Sequence, residues 1–260
     1  MLETKSKDGT RIAFERTGQG PPLVLVHGTT ADHTRWAPVL GELEARFTVH
    51  AMDRRGRGAS GDSPDYTLEK EFDDVAAVVD SIGEPAHLLG HSYGAKCSLE
   101  ASLRTNKVRK LVLYEPPIPA GIPIYPAGLI ERMQSSLDAG DRDWVVTSFF
   151  REVVRMPETE LALLRSLPNW PARVAAAHTI PREMRVDETY QFDAARFASF
   201  RVPTLTLLGG DSPGFLKRAT ELVASALSTN RTVILPGQQH AAMNTAPEMF
   251  TREVIAFLTG

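Results

Sequence analysis

The sequence predicts an α/β domain: a doubly wound, mostly parallel sheet of eight strands with a block of helices inserted after the sixth strand. Three observations predict it. Short apolar runs alternate with stretches in which apolar residues recur at helical spacing, as in strands joined by crossover helices. The central runs are continuously apolar, which is how a strand covered on both faces reads. The alternation stops at Pro116-Pro117-Ile118-Pro119 and resumes only at Val202, and the interval between reads as helices punctuated by prolines.

Taken in order, Asp8-Gly9 is a turn signal between strands Glu3 to Lys7 and Arg11 to Arg16, so the chain opens on a hairpin. Leu23 to Val26 is a buried strand, Trp36 to Leu43 a helix, and Thr48 to Met52 the next strand. Leu68 to Ile82 is an amphipathic helix with Phe72, Val75, Ala76, Val79 and Ile82 on one stripe. Strand Ala86 to Leu89 leads to helix Ala95 to Thr105, and Val108 to Tyr114 supplies another strand. The interval holds candidate helices at Leu129 to Leu137, Trp144 to Val154, Glu158 to Leu167 and Pro171 to His178. The chain then returns with strand Thr204 to Leu208, helix Phe215 to Leu227, strand Thr232 to Leu235 and terminal helix Glu248 to Leu258. Residues 1–117 and 201–260 are therefore expected to form one core, and residues 118–200 a helical lid over its site.

Composition narrows the class of partner. A chain of 260 residues with 42% hydrophobic content is long enough for a substantial core. A net charge of -3 provides no basic stripe for nucleic acid and no polybasic membrane patch, so a small-molecule partner is expected. Cys97 is the single cysteine, which excludes an intrachain disulfide and a cysteine metal cluster. No His-Glu-x-x-His pattern suggests a metal, and neither metal nor cofactor is expected. The first residues lack the apolar stretch of a secretory signal and no run approaches a membrane span, so the expected location is cytoplasmic.

The informative motif is Gly90-His91-Ser92-Tyr93-Gly94, which lies between the Ala86 to Leu89 strand and the Ala95 to Thr105 helix. With 19 glycines in the chain the five-residue pattern alone is weak, and the strand and helix on either side carry the argument. A serine there occupies a strained turn that projects its hydroxyl over the sheet edge, and the helix N-terminus beneath favours a developing oxyanion.

Such a serine needs a base and an orienting acid. Of the seven histidines, His240 follows the Thr232 to Leu235 strand on a loop at the same sheet edge, which makes it the candidate base. His27 and His91 accompany glycines in tight turns, and His33, His50, His87 and His178 lie in or beside strands and helices. Asp211 emerges just beyond the Thr204 to Leu208 strand and is the expected acid, although Asp211-Ser212-Pro213 also reads as a helix entry. Its competitor is Glu115, at the end of the strand preceding the insertion.

With these motifs the sequence resembles the α/β-hydrolase superfamily over nearly its whole length. The segment Val26-His27-Gly28-Thr29-Thr30 matches the His-Gly loop of such enzymes, and the resemblance implies an oxyanion hole made by the backbone N–H groups of Thr29 and Tyr93. Asp53-Arg54-Arg55-Gly56-Arg57-Gly58-Ala59-Ser60 looks like a structural turn found in many lid-bearing members. The nucleophile Ser92, where dehalogenases and epoxide hydrolases of the superfamily carry aspartate, implies acyl transfer: a serine esterase acting through Ser92, His240 and Asp211. Two departures stand out. Many relatives place the acid where Ser212 stands here, and Lys96, Ser98 and Ser102 are polar on a helix usually buried, implying a solvated side or a partner.

The expected substrate is a small or medium carboxylic ester, apolar or aromatic. Tyr125, Leu129, Met133, Trp144, Phe149, Phe150 and Trp170 are candidates to line its pocket, with the lid's own core as the commoner fate of such residues. Arg151, Arg155, Arg182 and Arg185 are candidates to meet an anionic substrate, against the plainer reading of a solvated helix face. The alternatives are a cofactor-free haloperoxidase, a lyase or carbon–carbon hydrolase on the same triad, and a binding protein of low turnover.

Overall fold

The computed structural model describes residues 1–260. Strands β1 (Leu2–Lys5) and β2 (Arg11–Thr17) form the opening hairpin. They are followed by β3 (Pro22–Val26), α1 (Ala37–Glu44), β4 (Thr48–Met52), α2 (Leu68–Ser81), β5 (Ala86–His91), α3 (Tyr93–Ala101) and β6 (Val108–Tyr114). After the inserted helices come β7 (Thr204–Gly209), α9 (Gly214–Ala226), β8 (Asn230–Leu235), the short α10 (Ala242–Thr245) and α11 (Pro247–Thr259). The eight strands make one sheet in the order β1-β2-β4-β3-β5-β6-β7-β8, parallel from β4 onward. The chain winds from β3 outward to β4 and then crosses back to β5. The winding direction therefore reverses between β3 and β5, and a crevice for a ligand opens at the carboxyl ends of strands flanking such a point.

Alternation along the buried strands feeds two cores. Val24, Val26 and Leu88 face one side, against Phe72, Val75 and Val79 of α2 and Leu99 of α3. Leu23, Leu25 and Leu89 face the other, against Val39 and Leu43 of α1 and Phe250 and Val254 of α11. No helix is long and apolar enough to cross a membrane.

Between β6 and β7 the chain forms α4 (Leu129–Asp138), α5 (Arg142–Ser148) with a π-helical continuation over Phe149–Val154, α6 (Glu158–Arg165), α7 (Trp170–Ala175) and α8 (Thr179–Thr189). These helices have a core of their own, in which Leu129, Met133, Phe150 and Trp170 meet Ile180 and Met184, with Tyr125, Trp144 and Phe149 packed against it. Burying each of the large side chains contributes about 1.5–3 kcal/mol. The aromatic residues of this segment therefore hold the inserted helices together.

Helix α8 is absent from the pattern read in the sequence. Pro181 reads there as a breaker, yet in the first turn of a helix proline removes no hydrogen bond. The apolar pair Ile180 and Met184 is short, because the neighbouring positions on the same face, Glu183 and Asp187, are charged and nonetheless buried.

Candidate active site

Ser92 sits between β5 and α3 with φ 56° and ψ -127°, a conformation that serine rarely adopts. The close approach of backbone explains the flanking glycines. A Cβ on Gly90 would lie 2.5 Å from the Gly94 carbonyl oxygen, and one on Gly94 would lie 2.4 Å from the carbonyl oxygens of Val26 and His27. The strain is held in place by hydrogen bonds: Ser92 N–H donates to the Tyr114 carbonyl at 2.9 Å, and the Ser92 carbonyl accepts from Ala95 N–H at 2.8 Å. The other non-glycine residues with positive φ are Thr30, Glu115 and Arg155, so three of the four lie on the loops that meet at this crevice. Backbone strain of this kind costs about 1–3 kcal/mol per residue and collects at functional sites.

The acid beside His240 is Glu115, which corrects the expectation of Asp211. His240 Nδ1–H donates to Glu115 Oε2 at 2.5 Å. Glu115 is fully buried, and its Oε1 accepts from Gly209 N–H at 2.7 Å and from the Ser212 hydroxyl at 2.5 Å. Asp211 is exposed, and its backbone N–H is tied to the Gln238 carbonyl. Ser212 therefore serves as a donor to a carboxylate that arrives from the end of β6. Both strand ends lie at the same sheet edge, and β6 and β7 are adjacent in the sheet.

The loops carrying Ser92 and His240 are joined by His91. Its Nε2–H donates to the His240 carbonyl at 2.8 Å, and the two rings are 4.7 Å apart. Burial above all, together with the nearby Arg35 cation, keeps the His91 imidazole neutral by pushing its pKa well below the ordinary value. His27 is likewise fully buried and held neutral, with Nε2 accepting from Arg54 N–H at 3.1 Å and Nδ1–H directed at the Gly28 carbonyl. On the other side of the crevice, a Cβ on Gly28 would meet the Cβ of Ser92 at 2.8 Å, so the loop that continues into Thr29 lies directly against the serine. Tyr93 is the first residue of α3, and its N–H therefore has no partner within the helix.

Helix α8 clasps these loops. Glu183 Oε1 accepts from Arg54 Nη2 at 2.6 Å and from Arg57 Nη2, while its Oε2 accepts from the Thr29 hydroxyl at 2.9 Å. Arg54 also reaches Glu71 on α2 and lies over the Tyr93 ring, 4.5 Å from its centre. Burial works against the Glu183 carboxylate, but the charges of Arg54 and Arg57 outweigh it and lower the pKa. One turn further along α8, Asp187 pairs with Lys96 of α3 and accepts from the Tyr125 hydroxyl at 2.7 Å. Lys96, Ser98 and Ser102 do not face solvent. All three are buried; Ser102 donates to the Leu99 carbonyl, and the partner of Lys96 is α8 itself. Glu100 likewise accepts from Tyr190 and Arg196 just beyond α8. Of the arginines read as facing outward, Arg151 pairs with exposed Glu158, Arg185 reaches Gln134, and Arg182 binds Asp62.

Asp62 links α8 to the turn after β4 and makes a testable contribution. Its burial favours the neutral acid, but hydrogen bonds from His178 and Arg182 and the charge of Arg182 hold it well below the usual carboxylate range. A depressed folded pKa means stability that is present above the unfolded value and lost as pH falls through the folded one. We expect the melting temperature of Asp62→Asn to lie below wild type at pH 7 and the two to converge as pH falls below about 4. A constant gap across that range rules out this ionic contribution.

No three His, Cys, Asp or Glu side chains are gathered as a metal-ligand set. The model of the alpha/beta hydrolase family matches residues 23–253. The chain belongs to this family. Over its whole length this hydrolase superimposes on the crystal structure of an alpha/beta hydrolase from Sphaerobacter thermophilus with a TM-score of 0.86 at 37% identity, covering 99% of this chain and 100% of that one. It is similar to the pimeloyl-acyl-carrier-protein methyl ester esterase of Aeromonas hydrophila, 25% identical over 96% of the chain and 99% of that protein. It is also similar to the N-formylmaleamate deformylase of Pseudomonas putida, 35% identical over 130 residues; the match spans about half of either protein, 48% of each.

Proposed function

We propose that this alpha/beta hydrolase cleaves carboxylic esters or related acyl bonds of small molecules through Ser92, His240 and Glu115. The observation that carries the reading is the 2.5 Å contact between His240 and buried Glu115, beside a serine held at φ 56° on a strand-to-helix turn. With Nδ1–H engaged by Glu115, the neutral imidazole presents an unprotonated Nε2, as a general base must. Ser92 Oγ attacks the acyl carbon as its proton passes to His240. The backbone N–H groups of Thr29 and Tyr93 receive the oxyanion, His240 protonates the leaving group, and the acyl-serine is released by water activated at the same nitrogen. Glu115 holds the imidazole orientation and stabilises the imidazolium. The inserted helices act as a lid, fastened to the Thr29 loop through Glu183 and to helix α3 behind Ser92 through Asp187. Relatives named as a methyl ester esterase and a deformylase support acyl-bond hydrolysis as the reaction type.

The test is covalent labelling with a fluorophosphonate, followed by intact-mass measurement and peptide mapping. We expect one adduct on wild-type protein, on Ser92, and none on Ser92→Ala. Turnover of a 4-nitrophenyl ester by folded Ser92→Ala at the wild-type rate overturns the assignment.

A further inference from the structure

The loop that would receive the oxyanion is held from the inserted helices as well as from the sheet. Its two ends are fixed near the strands: Gly28 lies against Ser92, where a Cβ would meet the serine Cβ at 2.8 Å, and His33 donates its backbone N–H and Nδ1–H to buried Asp53 Oδ1 at 2.9 and 2.8 Å. Between these ends, the hydroxyls of both threonines bond to residues of the insertion. Thr29 donates to Glu183 Oε2 of α8 at 2.9 Å, and Arg173 of α7 donates through Nη1 to the Thr30 carbonyl at 2.6 Å and to the Thr30 hydroxyl at 3.2 Å.

These ties join groups that are themselves fixed. Thr30 has φ 64°, where a β-branched residue is seldom found, so its conformation is one that neighbours must impose. Arg173 is buried, with its guanidinium 5.8 Å from the centre of the Phe150 ring, a member of the inserted helices' own core. Glu183 is buried too and is oriented by Arg54 and Arg57. Arg54 lies over the Tyr93 ring, so the same carboxylate is one contact away from the residue that supplies the second N–H. The insertion thus reaches both residues between which the oxyanion would form.

We propose that Glu183 and Arg173 are positioning residues for the oxyanion hole: they hold Thr29 and the strained Thr30 so that the Thr29 N–H is aimed at the developing charge, and the hole is complete only while α7 and α8 are seated. The proposal rests on the reading of Ser92, His240 and Glu115 as the reacting groups. A preorganised donor stabilises the transition state more than the bound ester, because the charge it meets develops only there. Loss of either tie therefore lowers kcat and kcat/KM together and leaves KM nearly unchanged.

The test combines steady-state kinetics on 4-nitrophenyl butyrate with inhibition by propyl trifluoromethyl ketone, whose carbonyl carbon takes up Ser92 Oγ, with the serine proton passing to His240, to give a hemiketal oxyanion. Thr29→Val and Arg173→Met are each expected to lower kcat about 5–50-fold with KM within about threefold of wild type, and to weaken the ketone by the same factor as kcat. Thr29→Ser keeps the hydroxyl and is expected to stay within about threefold of wild type. Adding Thr30→Gly to Arg173→Met is expected to recover most of the lost kcat, because glycine adopts the positive φ without being forced; a purely structural role for Arg173 is not corrected by a change in the loop. The Thr29 pair keeps the proposal testable if Arg173→Met does not fold. Wild-type kcat and ketone affinity in folded Thr29→Val, or a loss carried by KM alone, overturns the positioning role; with Ser92 still labelled by fluorophosphonate, the hydrolase reading stands. No labelling of wild-type Ser92 and no inhibition by the ketone overturns both.

Discussion

Glu115→Gln is expected to lower kcat by about 10³–10⁴-fold, while Asp211→Asn stays within about twofold of wild type. The asymmetry follows from three hydrogen bonds. Glu115 accepts from Gly209 N–H and Ser212 at one oxygen and from His240 Nδ1–H at the other. A glutamine of nearly the same shape has one carbonyl oxygen. Turned toward Gly209 and Ser212, it presents its NH₂ to His240, which favours the tautomer with the proton on Nε2 and removes the base that Ser92 requires. The fold is expected to survive, since the volume is unchanged and the Gly209 and Ser212 donors remain satisfied. Steady-state kinetics on a 4-nitrophenyl ester, with a thermal melt on each variant, reads the difference directly. A larger loss in Asp211→Asn than in Glu115→Gln returns the acid to the end of β7.

The largest effect on stability is expected at the pair that joins α8 to the helix beneath the serine. Asp187→Ala leaves the Lys96 ammonium buried among Tyr93 and Tyr190, whose ring centres lie 5.0 and 5.2 Å away, with no carboxylate opposite. Removing one member of a buried pair costs about 3–5 kcal/mol, which in a chain of this size corresponds to a fall of roughly 6–20 °C in melting temperature. Replacing both partners by apolar residues, Lys96→Met with Asp187→Leu, should restore most of that loss, because no charge then lacks a partner. A double variant as unstable as Asp187→Ala means that packing, rather than charge, holds α8 in place. Because Glu183 on the same helix accepts from the Thr29 hydroxyl, loosening α8 should also depress kcat/KM on top of the stability loss.

What could be read from the chain without coordinates follows the range of the interactions involved. The strand-to-helix turn at Ser92 was legible because its requirements are local: glycines at 90 and 94, an apolar strand before and a helix after. The strand order was not spelled out by any one segment, yet alternating buried strands and helices left few arrangements. Helix α8 was missed because the face it presents inward bears Glu183 and Asp187, and apolar periodicity cannot register a charged face whose partners, Arg54, Arg57 and Lys96, lie far away in the chain. The same gap hid the reason for Lys96: a lysine on a buried helix is explicable only once its carboxylate is found.

The sequence by itself determined the fold class and located the strand-to-helix turn at Ser92 and the loop of His240, because each of these is marked by residues close to one another along the chain. Only the tertiary structure decided which carboxylate faces His240, since Glu115 and Asp211 both end strands at the same sheet edge and differ in burial and direction rather than in local pattern. It also decided which buried charges meet, Lys96 with Asp187 and Arg54 with Glu183. Charge balance in a buried site is a property of groups that meet in space, and spacing along the chain does not record it.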